Sequence, residues 1–131
     1  IGKFMEKEMK LDLDSFLLSE TDEKGIIRYA NDEFCKFAEY SLEELIGKPH
    51  NIVRHPDMPK AAFEDLWKTI KSGNIWHGIV KNNTKDGDYY WVNATAYPSK
   101  TVDGKVRYIS VRVKPTEQEI LNALNLYSKL N

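Results

Sequence analysis

A chain of 131 residues with 20 acids, 19 bases and a formal net charge of −1 has the length of one ordinary domain, able to bury roughly two-thirds of the surface its unfolded chain exposes. Hydrophobic residues at 41% and charged residues at 30% exclude a disordered or fibrous chain. The near-neutral balance removes the electrostatic footprint of a dedicated nucleic-acid binder. The longest charge-free stretch, the 11 residues from Tyr89 to Ser99, falls short of the ~20 that a membrane-spanning helix needs. No signal peptide is visible. The single Cys35 excludes an internal disulfide framework and fits a reducing compartment, so a cytoplasmic location is expected.

Residues 1–14 alternate charges with Phe4, Met5, Met9, Leu11 and Leu13 and read as a polar lead-in or short helix. Phe16 to Asp22 predicts a strand. Asp22-Glu23-Lys24-Gly25 supplies turn chemistry, and Ile26 to Ala30 resumes as a second strand. Asn31 can cap a helix carrying Phe34, Phe37 and Ala38 at three- and four-residue spacing. Ser41-Leu42-Glu43-Glu44 has the form of a capping box, and Gly47 stops that helix. A third helix starts near Pro59, with the stripe Ala62, Phe63, Leu66, Trp67 and Ile70, and ends at Gly73. Three strands follow at Ile75–Lys81, Tyr89–Pro98 and Val106–Lys114, joined by turns at 85–88 and 103–104. After Pro115, Thr116 can cap a final helix with Glu119 in the box position. Its stripe runs through Ile120, Leu124, Tyr127 and Asn131, and it is expected to leave the sheet as a lever, with folding back as a lid the other course.

This order of two strands, three helices, three strands and an exit helix suggests a sheet covered on one face by short helices, with a cavity between the layers. The order, the run Tyr29-Ala30-Asn31-Asp32-Glu33-Phe34, and Tyr40-Ser41-Leu42-Glu43-Glu44-Leu45-Ile46-Gly47 resemble a PAS sensory domain. The segment from Pro49 to Phe63, with Arg54-His55-Pro56-Asp57-Met58-Pro59 at its centre, narrows the likeness. So do Trp76 to Asn82 and Gly87 to Val92. Together they resemble the FAD-binding PAS domain of bacterial aerotaxis (energy-taxis) receptors, over about residues 15 to 130.

The resemblance implies an α+β PAS fold: a five-stranded antiparallel sheet, short helices on one face, a ligand pocket between and flanking helical segments. It divides the chain into a lead-in at 1–14, a sensor domain at 15–115 and a signalling helix at 116–131. It assigns Arg54, His55 and Asp57 to flavin retention, and makes Trp76 and Asn82 neighbours of the cofactor, with Asn31 and Trp67 beside them. It implies non-covalent FAD, redox or energy sensing rather than catalysis, a downstream signalling domain and a second copy as partner. No nucleic-acid or membrane contact is expected of this segment, even within a membrane-attached receptor.

The residue chemistry leaves alternatives beside that implication. Free N–H groups at the start of the third helix, with the Arg54 guanidinium, make a pyrophosphate site. The plainer reading has Arg54 pairing with Asp57 on the surface and Asp57 capping the helix. By spacing alone, Trp67 and Trp91 read as plain core rather than as a flavin face. Asn83-Thr84 replaces a turn that is often more basic in the family, which leaves FMN beside FAD. His55 or His77 could ligate haem, and a cofactor-free dimerisation module is the remaining rival. Cys35 has no neighbouring base in sequence and reads as a small buried hydrophobe. Light sensors of the related LOV group carry a Cys in the segment occupied here by His50 to Arg54; none is present.

Overall fold

The structure, a computed structural model, describes residues 6–130; Phe4, Met5 and Asn131 of the expected stripes lie outside the described residues. β1 (Leu17–Asp22) alternates fully buried and half-buried residues, the pattern of a strand with one face on a core. Asp22 closes the hairpin: its Oδ1 accepts from the N–H of Lys24 at 2.9 Å and of Ile26 at 3.0 Å. The chain then returns as β2 (Ile27–Ala30). Asn31 ends the strand and starts α1 (Asp32–Ala38) with one oxygen, which accepts from the N–H of Phe34 and of Leu18, each at 3.0 Å. The reciprocal box between Ser41 and Glu44 starts α2 (Leu42–Leu45). A 3-10 turn (His50–Val53) leads to α3 (Lys60–Lys71). The meander β3 (Trp76–Asn83), β4 (Tyr89–Lys100) and β5 (Val106–Val113) completes the sheet, and a second box, Thr116 with Glu119, starts α4 (Glu117–Ser128).

The strands lie in the order β2-β1-β5-β4-β3, all neighbours antiparallel. β1 and β5 therefore pair at the centre of the sheet. The inner face meets α1, α2, the 3-10 turn and α3 around Leu17, Phe34, Leu45, Val53, Val80, Tyr90 and Val92, all effectively sealed from solvent. This is the five-stranded antiparallel α+β architecture that the sequence predicts. No helix among the described residues is long and apolar enough to cross a membrane.

Two expectations change. Residues 6–11 of the lead-in are extended rather than helical, before a turn at 13–14: Met9 N–H donates to the Tyr89 carbonyl at 2.7 Å, and Tyr89 N–H to the Lys7 carbonyl at 3.1 Å. Its apolar residues Met9 and Leu11 alternate with charges and turn inward, a period of two that suits extended chain, while Leu13 stands exposed in the turn. The exit helix folds back. Ala123 and Tyr127 of α4 are buried, the Tyr127 hydroxyl donates to the Ile79 carbonyl, and Asn93 Nδ2 donates to Glu119 at 3.2 Å. Asn93 alternates along β4 with the inward-facing Ala94, so α4 covers the opposite face of the sheet.

Candidate functional site

The inner face does not close completely on the helices. A cavity of about 360 Å³ lies between β1, β5 and β4 on one side and α3 with the 49–54 loop on the other. Small residues make the room: Ser19, Ala94, Ala96 and Ser110 stand where larger side chains would fill it. Phe63, Leu66, Trp67 and Ile70 supply the apolar wall from α3.

Three of the seven expected site residues stand on this wall: Arg54, Trp67 and Asn82. Arg54 does not pair with Asp57; its guanidinium carbon sits 4.6 Å from the Phe63 ring centre. Its backbone bridges Asn82, so the loop is stitched to β3. Trp67 stands edge-to-face with Tyr108 at 5.6 Å. Asn82 is 1% exposed. With its amide oxygen turned toward Arg112, it accepts from Nη1 at 2.8 Å while its nitrogen donates to the Val53 carbonyl at 3.2 Å.

The other four stand behind the wall. His55 is buried, its Nδ1 accepting from the Asp57 N–H at 2.9 Å. Nε2 therefore carries the proton and faces Glu6 at 2.7 Å, which ties the lead-in to this loop. Asp57 does not cap α3, which begins after Pro59 with no side-chain cap. Its exposed carboxylate lies 2.9 Å from Lys81 Nζ, and that partner lowers its pKa. Trp76 donates from Nε1 to Asp65 at 2.9 Å and lies over Gly78, beside a separate groove between α3, β3 and α4. Asn31 is the cap of α1. The start of α3, residues 59–62, is absent from the cavity wall, so the helix N-terminus is not placed to meet a ligand there. His77, one of the two haem-ligand candidates, is exposed and bonds Thr95, and His55 has both ring nitrogens engaged outside the cavity.

A family model of the PAS fold matches residues 27–112. The chain belongs to the PAS family. This PAS domain is 51% identical over 119 residues to the aerotaxis receptor of Escherichia coli (strain K12), a match covering 90% of the chain and 23% of that protein. It is 28% identical over 94 residues to the nitrogen fixation regulatory protein of Klebsiella pneumoniae, covering 72% of the chain and 19% of that protein. The chain thus spans about a fifth of the length of these relatives. Among solved structures, the light state of the blue-light photoreceptor Aureochrome1 LOV superposes with a TM-score of 0.73 at 22% identity, over 86% of this chain and 91% of that one. That likeness concerns the fold.

The buried cation of the PAS cavity is one that sequence reading missed. Arg112 is 5% exposed, and its Nε donates to Ser110 Oγ at 3.0 Å. Among the described residues it makes no ion pair. Burial lowers its pKa, yet a guanidinium starts so high that it stays charged. His50 Nε2 lies 2.8 Å from Ser19 Oγ, and its ring stands edge-on to Phe34 at 5.6 Å. Burial first, then the Arg112 charge, pushes its pKa down to about 3, so it is neutral at physiological pH. Among the described residues the buried Tyr90 hydroxyl has no partner in hydrogen-bond geometry, and burial raises its pKa well above the ordinary value. Thr21 Oγ1, on the cavity wall, is also buried without a partner among the described residues. One signal was legible: Tyr108, Ser110 and Arg112 share a face of β5 by period two, and an arginine on the core face of a central strand needs an explanation.

Proposed function

We propose that this PAS domain holds a flavin, FAD, non-covalently in the inner cavity and reports redox or energy state to a signalling module in the same chain. The observation that carries the reading is the polar end of the cavity. Arg112, a buried cation without a carboxylate, and the Asn82 amide meet at one end of an apolar slot, and the Thr21 hydroxyl, buried without a partner among the described residues, adds a polar group on the same wall four residues along the β1–β5 ladder. A buried unpaired charge of this kind is costly, and such a set suits a flat heteroaromatic whose polar edge accepts and donates hydrogen bonds. The choice of FAD over FMN rests on the resemblance in the 49–63 segment and on the similarity to the aerotaxis receptor.

When bound, a flavin supplies reversible electron uptake with a change of charge and protonation at its ring. Arg112, buried on the cavity wall, would hold such a ring with a fixed positive charge and would stabilise negative charge developing on it. His50, on the wall and neutral down to about pH 3, would add no charge near neutrality, so the compensation would fall to Arg112. Arg112 belongs to β5 and Asn82 to β3. A change in their hydrogen bonds therefore acts on the sheet, and through Ile79 on the contact with Tyr127 of α4, a two-state element in place of turnover. Arg54, on the cavity wall, would contact the ligand. His55, through Glu6 and the Asp57 N–H, and Asp57, through Lys81, act on retention by fixing Arg54's loop. Asn31 and Trp76 brace β1 and α3.

The visible spectrum of the purified protein tests this. Flavin bands near about 370 and 450 nm, intrinsic or restored by adding FAD, are expected. A haem Soret band, or no flavin uptake after FAD is added, would overturn the proposal.

A further inference from the structure

The chain as a whole carries a net charge of −1, yet the cavity wall does not share that balance. Four cations, Lys24, Arg54, Lys71 and Arg112, stand on it against one carboxylate, Glu23. They are graded by depth: Arg112 is buried, Arg54 half-buried, and Lys24 and Lys71 are exposed at the mouth. The mouth is a built feature. Gly25, in the β1–β2 turn, adopts φ +82°, and a Cβ there would come within 2.9 Å of the Trp67 ring. The turn therefore lies directly on Trp67, which brings Lys24 to the same place. Lys71 is one helical turn beyond Trp67, with its ammonium 5.6 Å from that ring. Among the described residues neither ammonium makes an ion pair.

Resting on the flavin reading, we propose that Lys24 and Lys71, at the Trp67 mouth, hold the phosphate end of the ligand. The start of α3 is not available for this, because it is not part of the wall. A cavity of about 360 Å³ lies near the lower end of the ~300–1,000 Å³ usual for ligand pockets. It takes a ring system and a short chain, and leaves a phosphate or pyrophosphate at the rim. Lysine suits that rim: its ammonium is a mobile point charge that tolerates water around the phosphate. Glu23 is the opposing charge and lowers the affinity of the same subsite.

The ligand-free protein is titrated with riboflavin, FMN and FAD, following flavin fluorescence, for wild type, Lys24→Gln/Lys71→Gln, Glu23→Gln and Arg54→Gln. In wild type FMN and FAD should bind more tightly than riboflavin. The double variant should weaken FMN and FAD by about five- to thirtyfold, as two exposed charge pairs allow, and leave riboflavin unchanged, which also reports an intact cavity. Glu23→Gln should tighten FMN, and about 0.5 M salt should erase the preference. A double variant that keeps the wild-type preference for FMN over riboflavin overturns the subsite, as does a preference lost only in Arg54→Gln. Failure of wild type to bind riboflavin, FMN and FAD alike overturns the flavin reading instead.

Discussion

Lowering the pH from 7 to 5 should destabilise the ligand-free protein through one side chain, His50. In the unfolded chain its imidazole titrates near 6.5, and in the fold near 3. Between those values the unfolded chain binds a proton that the folded chain does not. Stability therefore rises with pH across this window and is lost as pH falls from about 6.5 toward 3. At pH 5 the loss amounts to about 2 kcal/mol, from ~1.4 kcal/mol per unit over the part of the window crossed. Against a total of ~5–15 kcal/mol that is a large fraction. The carboxylates of Asp57 and Glu44, held low by Lys81 and Lys85, act in the same direction but only below about pH 4, and both are too exposed to contribute much. His50→Gln retains a polar partner for Ser19 Oγ and removes the titration. Urea unfolding at pH 7, 6 and 5 should show the midpoint of wild type falling steeply and that of His50→Gln nearly flat. Parallel pH profiles for the two proteins, or an NMR titration placing the imidazole near 6.5, would refute the reasoning.

Arg54→Ala should cut flavin affinity about ten- to hundredfold with little effect on the melting of the apo protein; dialysis followed by a visible spectrum measures the retained flavin. Arg112→Met should lose flavin while the apo protein melts at the same or a higher temperature, because a buried cation without an ion-pair partner is exchanged for apolar packing; a large fall in apo stability would contradict that account. Gly78→Ala should destabilise by about 1–3 kcal/mol, since the added Cβ would lie 2.2 Å from the Trp76 ring, and thermal melts read this directly. Tyr127→Phe removes the hydroxyl that bonds the Ile79 carbonyl and should speed hydrogen exchange in α4 with a loss of about 1 kcal/mol.

The local elements were legible where the signal is local. The two capping boxes, the Asn31 cap and the period-two strands all form where the residue types place them, because each depends on neighbours within four positions. The lead-in was open to the same reading through Met9 and Leu11, but charges between them do not decide between helix and strand until Tyr89 offers its backbone. Asp57 was read as a cap because caps precede helices. Its partner is instead Lys81 on β3, a contact that exists only once the sheet is assembled. The same holds for the site. Sequence likeness carries a position and not a direction, so Arg54, Trp67 and Asn82 could not be told apart from His55, Asp57, Trp76 and Asn31, which stand behind the wall. Arg112 escaped notice because its burial depends on a cavity made by Ser19, Ala94, Ala96 and Ser110 on three different strands.

The pairing of β1 with β5 also has a consequence for synthesis. Leu17 lies opposite Arg112, so the first strand waits for the last before the centre of the sheet can form. Closing so long a loop costs on the order of 4 kcal/mol in chain entropy, whereas β3, β4 and β5 are joined by short turns and can zip locally. Folding should therefore run from the C-terminal meander, with β1 docking late. On a ribosome, which releases the N-terminal residues first, Ser19 and Thr21 emerge long before the strand that makes them a wall. A cofactor present during translation meets an unclosed cleft, and the seam that closes over it is the one holding Arg112.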